Sequence, residues 1–104
     1  SDVTARKLEE ERILYQANYD QLTGLPNRTL FNDRLQRVVL EGRRGKTNVG
    51  LMFIDLDGFK AINDNLGHDA GDLLLKATAE RLNKSVRESD TVARLGGDEF
   101  TVIM

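Results

Sequence analysis

The stretch Arg94-Leu95-Gly96-Gly97-Asp98-Glu99-Phe100 decides how this chain folds and where its chemistry lies. Two glycines precede two adjacent carboxylates, and the flanking segments, Thr91 to Ala93 and Phe100 to Ile103, are apolar or β-branched. That pattern reads as a β-hairpin with acid groups at its tip. A carboxylate tip suits a hard cation and, through it, a phosphate. Gly-Gly is also an ordinary hairpin turn, so the meaning of the tip depends on what lies beside it.

Upstream, Val49 to Ile54 form an apolar run of strand length that ends in Asp55-Leu56-Asp57-Gly58. An uninterrupted apolar run predicts a strand covered on both faces and paired on both edges. Its C-terminal end is where open α/β sheets place their ligands. Asp55 is still on the strand while Asp57 falls in the turn beyond it, so Asp55 is held more rigidly and is the better candidate ligand. With the hairpin beside this strand, Asp55, Asp98 and Glu99 share one edge. Three carboxylates so placed repel one another unless a divalent cation neutralises them. Magnesium, which keeps waters and shares its shell with phosphates, suits the set better than an all-protein calcium cage.

The intervening residues read as helices. Phe59 to Leu66 suggest a short helix and Gly67-His68 a break. A longer helix from Ala70 to Ser85 has Asp69 as cap and Leu74, Ala77 and Leu82 facing inward. Asn63 and Asp72 on these helices together offer an amide and a carboxylate, which can read donors and acceptors on a purine edge. Taken singly, each is an ordinary helix-end or surface residue. His68 is the only histidine and there is no cysteine, which argues against a transition-metal site. Arg87 and Asp90 precede the hairpin, either as a local surface ion pair or as an anion site with Arg87 as a bidentate donor.

Toward the N-terminus, Ser1 to Asn18 are helix formers with charges dominating the middle, as in an exposed or connector helix. Gly24, Pro26 and Asn27 break it. Asn27 is the predicted N-cap of a second helix, Arg28 to Glu41, that buries Phe31, Leu35 and Val38. Gly42 to Asn48 read as a basic loop. The order helix, helix, strand, helix pair, strand, strand predicts an α/β (α+β) sandwich with helices on a sheet.

The 104 residues are 39% hydrophobic and 31% charged, the composition of one small globular domain. A net charge of −2 gives no polybasic footprint, so nucleic acid is not an expected partner. No apolar run is long enough to span a bilayer, and the charged N-terminus is unlike a signal peptide. A cytoplasmic protein, or the cytoplasmic part of a membrane-bound one, is expected.

Four segments together resemble the GGDEF domain, the diguanylate cyclase domain of bacterial signalling proteins. They are Asp20-Gln21-Leu22-Thr23-Gly24-Leu25-Pro26-Asn27-Arg28, Phe53 to Lys60, Asn63 to Asp72, and Arg94 to Phe100, in that order. The resemblance implies a ferredoxin-like, nucleotide-cyclase palm core at 20–104, with 1–19 as a helical linker or signalling helix. It implies that Asp55, Asp98 and the Leu56 carbonyl hold magnesium, or manganese in its place. Glu99 would complete the acidic site and assist deprotonation of the attacking 3′-hydroxyl, with Asp98 beside it. Asn63 and Asp72 would recognise guanine, Phe59 and Lys60 border the phosphates, and Gly96 and Gly97 let the triphosphate approach the backbone. Arg87 and Asp90 match the family's Arg-x-x-Asp inhibitory site for cyclic di-GMP.

The implied reaction is condensation of two GTP molecules into cyclic di-GMP with release of pyrophosphate, in a homodimer whose protomers each hold one GTP. An upstream sensor domain would supply the signal, and composite members add a downstream phosphodiesterase domain. The alternative is a regulatory GGDEF domain that binds GTP or cyclic di-GMP without synthesis. Family members continue past the hairpin with a strand that pairs with the far edge of the Val49 to Ile54 strand. These 104 residues are therefore expected to hold the N-terminal part of the domain, to be inactive alone, and to associate through that edge or be poorly stable.

Overall fold

A computed structural model describes residues 2–45 and 47–104. Ser1, at the head of the expected leader, and Lys46, within the expected basic loop, lie outside the described residues. The elements run α1 (Asp2–Asn18), α2 (Arg28–Gly45), β1 (Leu51–Asp55), α3 (Phe59–Leu66), α4 (His68–Ser85), β2 (Thr91–Gly96) and β3 (Glu99–Ile103). This is the predicted order. The strands form one antiparallel sheet in the order β1-β3-β2, so the hairpin lies beside β1 through its second strand.

The sheet divides the apolar residues into two clusters. On one side Val92, Phe100 and Val102 meet Leu75 and Ala79 of α4 and Leu25 of the turn after α1, with Ile54, Leu56 and Phe59 packed against them. On the other side Phe31 of α2 meets Ala93 and Ile103, joined by Leu35, Val38, Val49 and Leu95. Phe31, Leu35 and Val38 thus face inward as their spacing predicts. Alternation along the hairpin produces the split: Val92 and Ala93 enter opposite clusters, as do Val102 and Ile103.

Several boundaries differ from expectation. Helix α2 continues past Glu41 to Gly45, because Gly42 is buried where the chain folds back and its carbonyl accepts from the Thr47 N–H at 3.0 Å. A side chain at 42 would press on the Thr47 carbonyl. Helix α4 starts at His68, and its N-cap is Gly67, not Asp69. Asp69 stands in the first turn, where a carboxylate complements the helix dipole without capping it. The buried face of α4 runs through Leu75 and Ala79, with Leu74 and Leu82 half-buried and Ala77 exposed. The run Leu73-Leu74-Leu75 supplies an apolar residue to three directions, so periodicity alone misplaces the face by one residue.

Strand β1 pairs only with β3 among the described residues, which agrees with the open edge expected for these 104 residues. The larger correction concerns its faces, expected to be covered: Phe53 is 67% exposed, with Leu51 and Met52 also exposed. Neither face is fully covered, because the apolar faces of α2 and α4 close over β2 and β3. No helix among the described residues is long and apolar enough to cross a membrane.

One side chain joins the first two helices. Asn27 Oδ1 accepts the Leu30 N–H at 3.1 Å, which is the predicted N-cap. Its Nδ2 also donates to the Ala17 carbonyl at 2.9 Å, and its backbone N–H donates to the Asn18 carbonyl at 2.9 Å. The end of α1 and the start of α2 therefore share one amide. Asn27→Ala should lower stability by about 1–2 kcal/mol in urea unfolding. Asn27→Asp, which keeps the cap and loses the donor, should recover about half of that loss.

Candidate functional site

The site is built on the end of β1 and the tip of the hairpin. Residue pairing sets Asp55, the last residue of β1, directly opposite Glu99, the first of β3. Asp98 is the neighbouring turn residue. Ile54 and Leu56 both pack into the α4-side cluster, which by alternation turns Asp55 to the other face. Gly96 (φ +154°) and Gly97 (φ +49°) take backbone conformations that side-chain-bearing residues rarely adopt. A bulge at Leu95 shifts the register, so that Arg94 faces Phe100 and Gly96 faces Glu99. A Cβ at either glycine would meet open space, so conformation rather than crowding demands them here.

Asp55, Asp98 and Glu99 thus come to one end of the sheet, as the hairpin's position beside β1 requires. They do not close into a cage: among the described residues no three acidic or histidine side chains converge as a metal site. The donor chemistry nevertheless fits a magnesium-sized cation, since every candidate atom is a hard oxygen and such an ion takes further ligands from water and phosphate. The Leu56 carbonyl accepts only a long bond from the Phe59 N–H, 3.4 Å, and keeps a lone pair to offer.

The turn is held by Arg94. Its Nε and Nη2 donate to the Gly97 carbonyl at 3.0 and 2.8 Å, and its Nη1 donates to Asp20 Oδ1 at 2.9 Å. The backbone N–H of Arg94 donates to the Pro26 carbonyl at 3.0 Å. Asp20 Oδ2 in turn accepts the Thr23 hydroxyl at 2.7 Å and the Thr23 N–H at 2.9 Å. Arg94 and Asp20 are only 14% and 19% exposed, so the pair is largely removed from water. Burial alone would push the Asp20 carboxyl up, but the bonds from Thr23 and the Arg94 charge outweigh it and hold it below its ordinary value.

The second group sits on the helix pair. Asn63 of α3 is half-buried and leans on Gly71 of α4, next to the exposed Asp72. A Cβ at Gly71 would overlap Asn63 Oδ1 and come within 2.9 Å of its Cγ, with the Phe59 ring at 3.3 Å. Phe59 is half-buried against the core while Lys60 is exposed, so the two flank the start of α3 differently.

Arg87 and Asp90 lie elsewhere, at the opposite end of β2 from the acidic turn, roughly 17 Å along a six-residue strand. They are joined through backbone and not by an ion pair: the Asp90 carboxylate accepts the Arg87 N–H at 3.0 Å, and the Asp90 N–H donates to the Arg87 carbonyl at 3.0 Å. The exposed guanidinium of Arg87 takes no part in this turn. His68 begins α4 and is exposed.

Three residues with structural roles at the site, Asp20, Arg94 and Gly71, stand in the motif segments but have no role that composition or periodicity assigns. A glycine inside a helix costs about 1 kcal/mol relative to alanine, and that mismatch was the signal at Gly71. Asp20 and Arg94 are 74 residues apart, and only the fold joins them.

The sequence profile described as "Diguanylate cyclase, GGDEF domain" matches residues 17–104. The chain belongs to the GGDEF family. This GGDEF domain is 48% identical over 96 residues to the diguanylate cyclase TpbB of Pseudomonas aeruginosa, covering 92% of the chain and 22% of that protein. It is 49% identical over 92 residues to MucR of the same organism, a bifunctional diguanylate cyclase/cyclic di-GMP phosphodiesterase, covering 88% of the chain and 13% of MucR. Among solved structures, the coiled coil and GGDEF domain of DgcB from Caulobacter crescentus, in complex with c-di-GMP, superposes with a TM-score of 0.89 at 33% identity. That match covers 99% of this chain and 54% of the other. A TpbB variant comprising only its GGDEF domain gives 0.81 at 50% identity, over 83% of this chain and 50% of that one. The chain therefore spans about half the length of these solved structures and under a quarter of the two curated relatives.

Two outcomes follow from this geometry. Because the folded Asp20 carboxyl lies below its ordinary 3.8, its stabilisation is complete above that value and is lost as pH falls through the lower folded value. Asp20→Asn should cost about 2 kcal/mol near neutral pH, with the gap from the parent chain closing below about pH 4 in acid titrations of stability. Gly71→Ala should change stability by less than about 1 kcal/mol, since helix propensity gained offsets crowding, yet displace Asn63. That displacement should appear as a shift of the Asn63 side-chain amide signals in NMR spectra, with the backbone signals of β2 and β3 unchanged.

Proposed function

We propose that this domain is a diguanylate cyclase module, joining two GTP molecules into cyclic di-GMP. The observation that carries this reading is the pairing of Asp55 with Glu99 beside a Gly97–Asp98 turn that Arg94 holds in shape. Asp55, Asp98 and the Leu56 carbonyl would hold magnesium, which supplies charge neutralisation on the triphosphate when bound. Manganese satisfies the same oxygen donors.

Asn63 and Asp72 bind the guanine edge, one offering an amide and the other a carboxylate. Phe59 and Lys60 border the phosphates, and the side-chain-free backbone at Gly96 and Gly97 leaves room for them. Glu99 accepts the proton of the attacking 3′-hydroxyl. The 3′-oxygen of one GTP then bonds to the α-phosphorus of the other, and the bond from that phosphorus to pyrophosphate breaks. A second, reciprocal step closes the ring and releases a second pyrophosphate. A single domain presents one such nucleotide site, so the chemistry needs two domains facing each other as a homodimer.

Segment 1–19, which contains helix α1 (Asp2–Asn18), joins this module to an upstream sensor domain. The Arg87–Asp90 turn is the inhibitory site for product, in line with the c-di-GMP-bound DgcB relative. The relation to MucR supports a phosphodiesterase domain in the same polypeptide, and a cytoplasmic location, where GTP is available, follows from the reaction.

Full-length protein incubated with GTP and magnesium should yield cyclic di-GMP, and Asp98→Ala should reduce the yield at least about a hundredfold. GTP binding without product from the full-length protein would replace this reading with a purely regulatory one. Arg87→Ala should weaken cyclic di-GMP binding at least about tenfold while leaving the turn folded, because the turn uses only the backbone of Arg87.

A further inference from the structure

Strand β1 has a register problem that β2 and β3 do not share. From Val49 to Ile54 it carries no polar side chain on either face, so the alternation that ordinarily fixes strand register is missing. Leu51, Met52 and Phe53 are exposed, so among the described residues packing opposes a slip only through Val49 and Ile54 at the two ends of the run. Yet a one-residue slip would turn Asp55 to the other face and set an apolar residue opposite Glu99.

Against this stands Thr101 of β3, a polar side chain with no exposed surface, between the buried Phe100 and Val102. Its hydroxyl donates to the Met52 carbonyl of β1 at 2.9 Å. Packing does not require that hydroxyl, because valine has the same shape. The carbonyl does not require it either. Gly50 and Met104 exchange both backbone bonds at 2.9 Å, so alternation makes Met52 and Val102 the next hydrogen-bonded pair. What the hydroxyl adds is a penalty for error: a one-residue slip removes its acceptor and leaves a buried donor without a partner.

We propose that Thr101 is a positioning residue whose buried hydroxyl fixes β1 on β3 in the register that sets Asp55 opposite Glu99. It rests on the reading of those carboxylates as the catalytic edge, but it can be tested without them. Phe53–Thr101 and Asp55–Glu99 are non-hydrogen-bonded pairs, whose α-protons approach closely enough for a strong NMR cross-peak. In the labelled chain, free of metal and nucleotide, both cross-peaks should be present. Thr101→Val should abolish the Asp55–Glu99 cross-peak and lower amide protection at Met52 and Ile54 at least about tenfold, with Ala93 of β2 changed less than about twofold. Thr101→Ser, which restores the hydroxyl and removes a methyl, should bring both signals back.

A packing role predicts the reverse order, with valine tolerated better than serine. Retention of the cross-peak and of protection in Thr101→Val overturns the proposal. So does loss of protection at Ala93 along with β1, which would mean that the hydroxyl supports the whole sheet. Failure of serine to rescue overturns it as well. Because no cation or nucleotide is in the sample, a failure of the catalytic reading leaves this result intact, and the reverse is equally true.

Discussion

The ion pair between Asp20 and Arg94 is the constraint on which the rest of the site depends. It closes the sequence on itself, tying the turn after α1 to the hairpin 74 residues later. Its two members are largely buried, which would be costly for charges with unfilled valences. Here both carboxylate oxygens have partners, Thr23 on one and Arg94 on the other, and the guanidinium spends its remaining contacts on the Gly97 carbonyl. The same arginine that neutralises a buried acid therefore shapes the turn that presents the exposed ones. Leu25 is carried into the core by this turn, so the link is mechanical as well as electrostatic.

The site and the core are arranged in opposition. Phe100, next to Glu99, is fully buried and anchors β3, while Asp55 and Glu99 stand exposed at the end of the same strand pair. The carboxylates thus remain hydrated and available to a cation, and the hairpin stays rigid because its next residue cannot move. On the helix pair the same division recurs at closer range. Gly71 gives up a side chain so that Asn63 can sit against α4, and Asp72 is left free beside it. Strand β1 is held to this arrangement by β3 alone among the described residues.

Much of this was legible from the chain itself. The hairpin followed from Gly96-Gly97 between β-branched segments, and the capping of α2 followed from Asn27 placed just before a 3.6-residue apolar period. The acidic edge followed from Asp55 ending an apolar run. The burial of β1 did not follow, because an apolar run reports what a strand could bury and not which elements are present to cover it. The inward face of α4 was hidden by three consecutive leucines. Asp20, Arg94 and Thr101 act through contacts across 49 to 74 residues, and no local pattern encodes such distances. Their motifs marked where to look, and the geometry supplied the reason.

The central claim is that the Arg94 clasp holds the acidic turn in its cation-binding shape. It is tested most directly by titrating Mn2+ into the labelled chain and into Arg94→Ala, both well below their melting temperatures. The account predicts paramagnetic broadening centred on Asp55, Asp98 and Glu99 in the parent chain, and at least about tenfold weaker binding in the variant. Equal broadening at the same amides in both would contradict it.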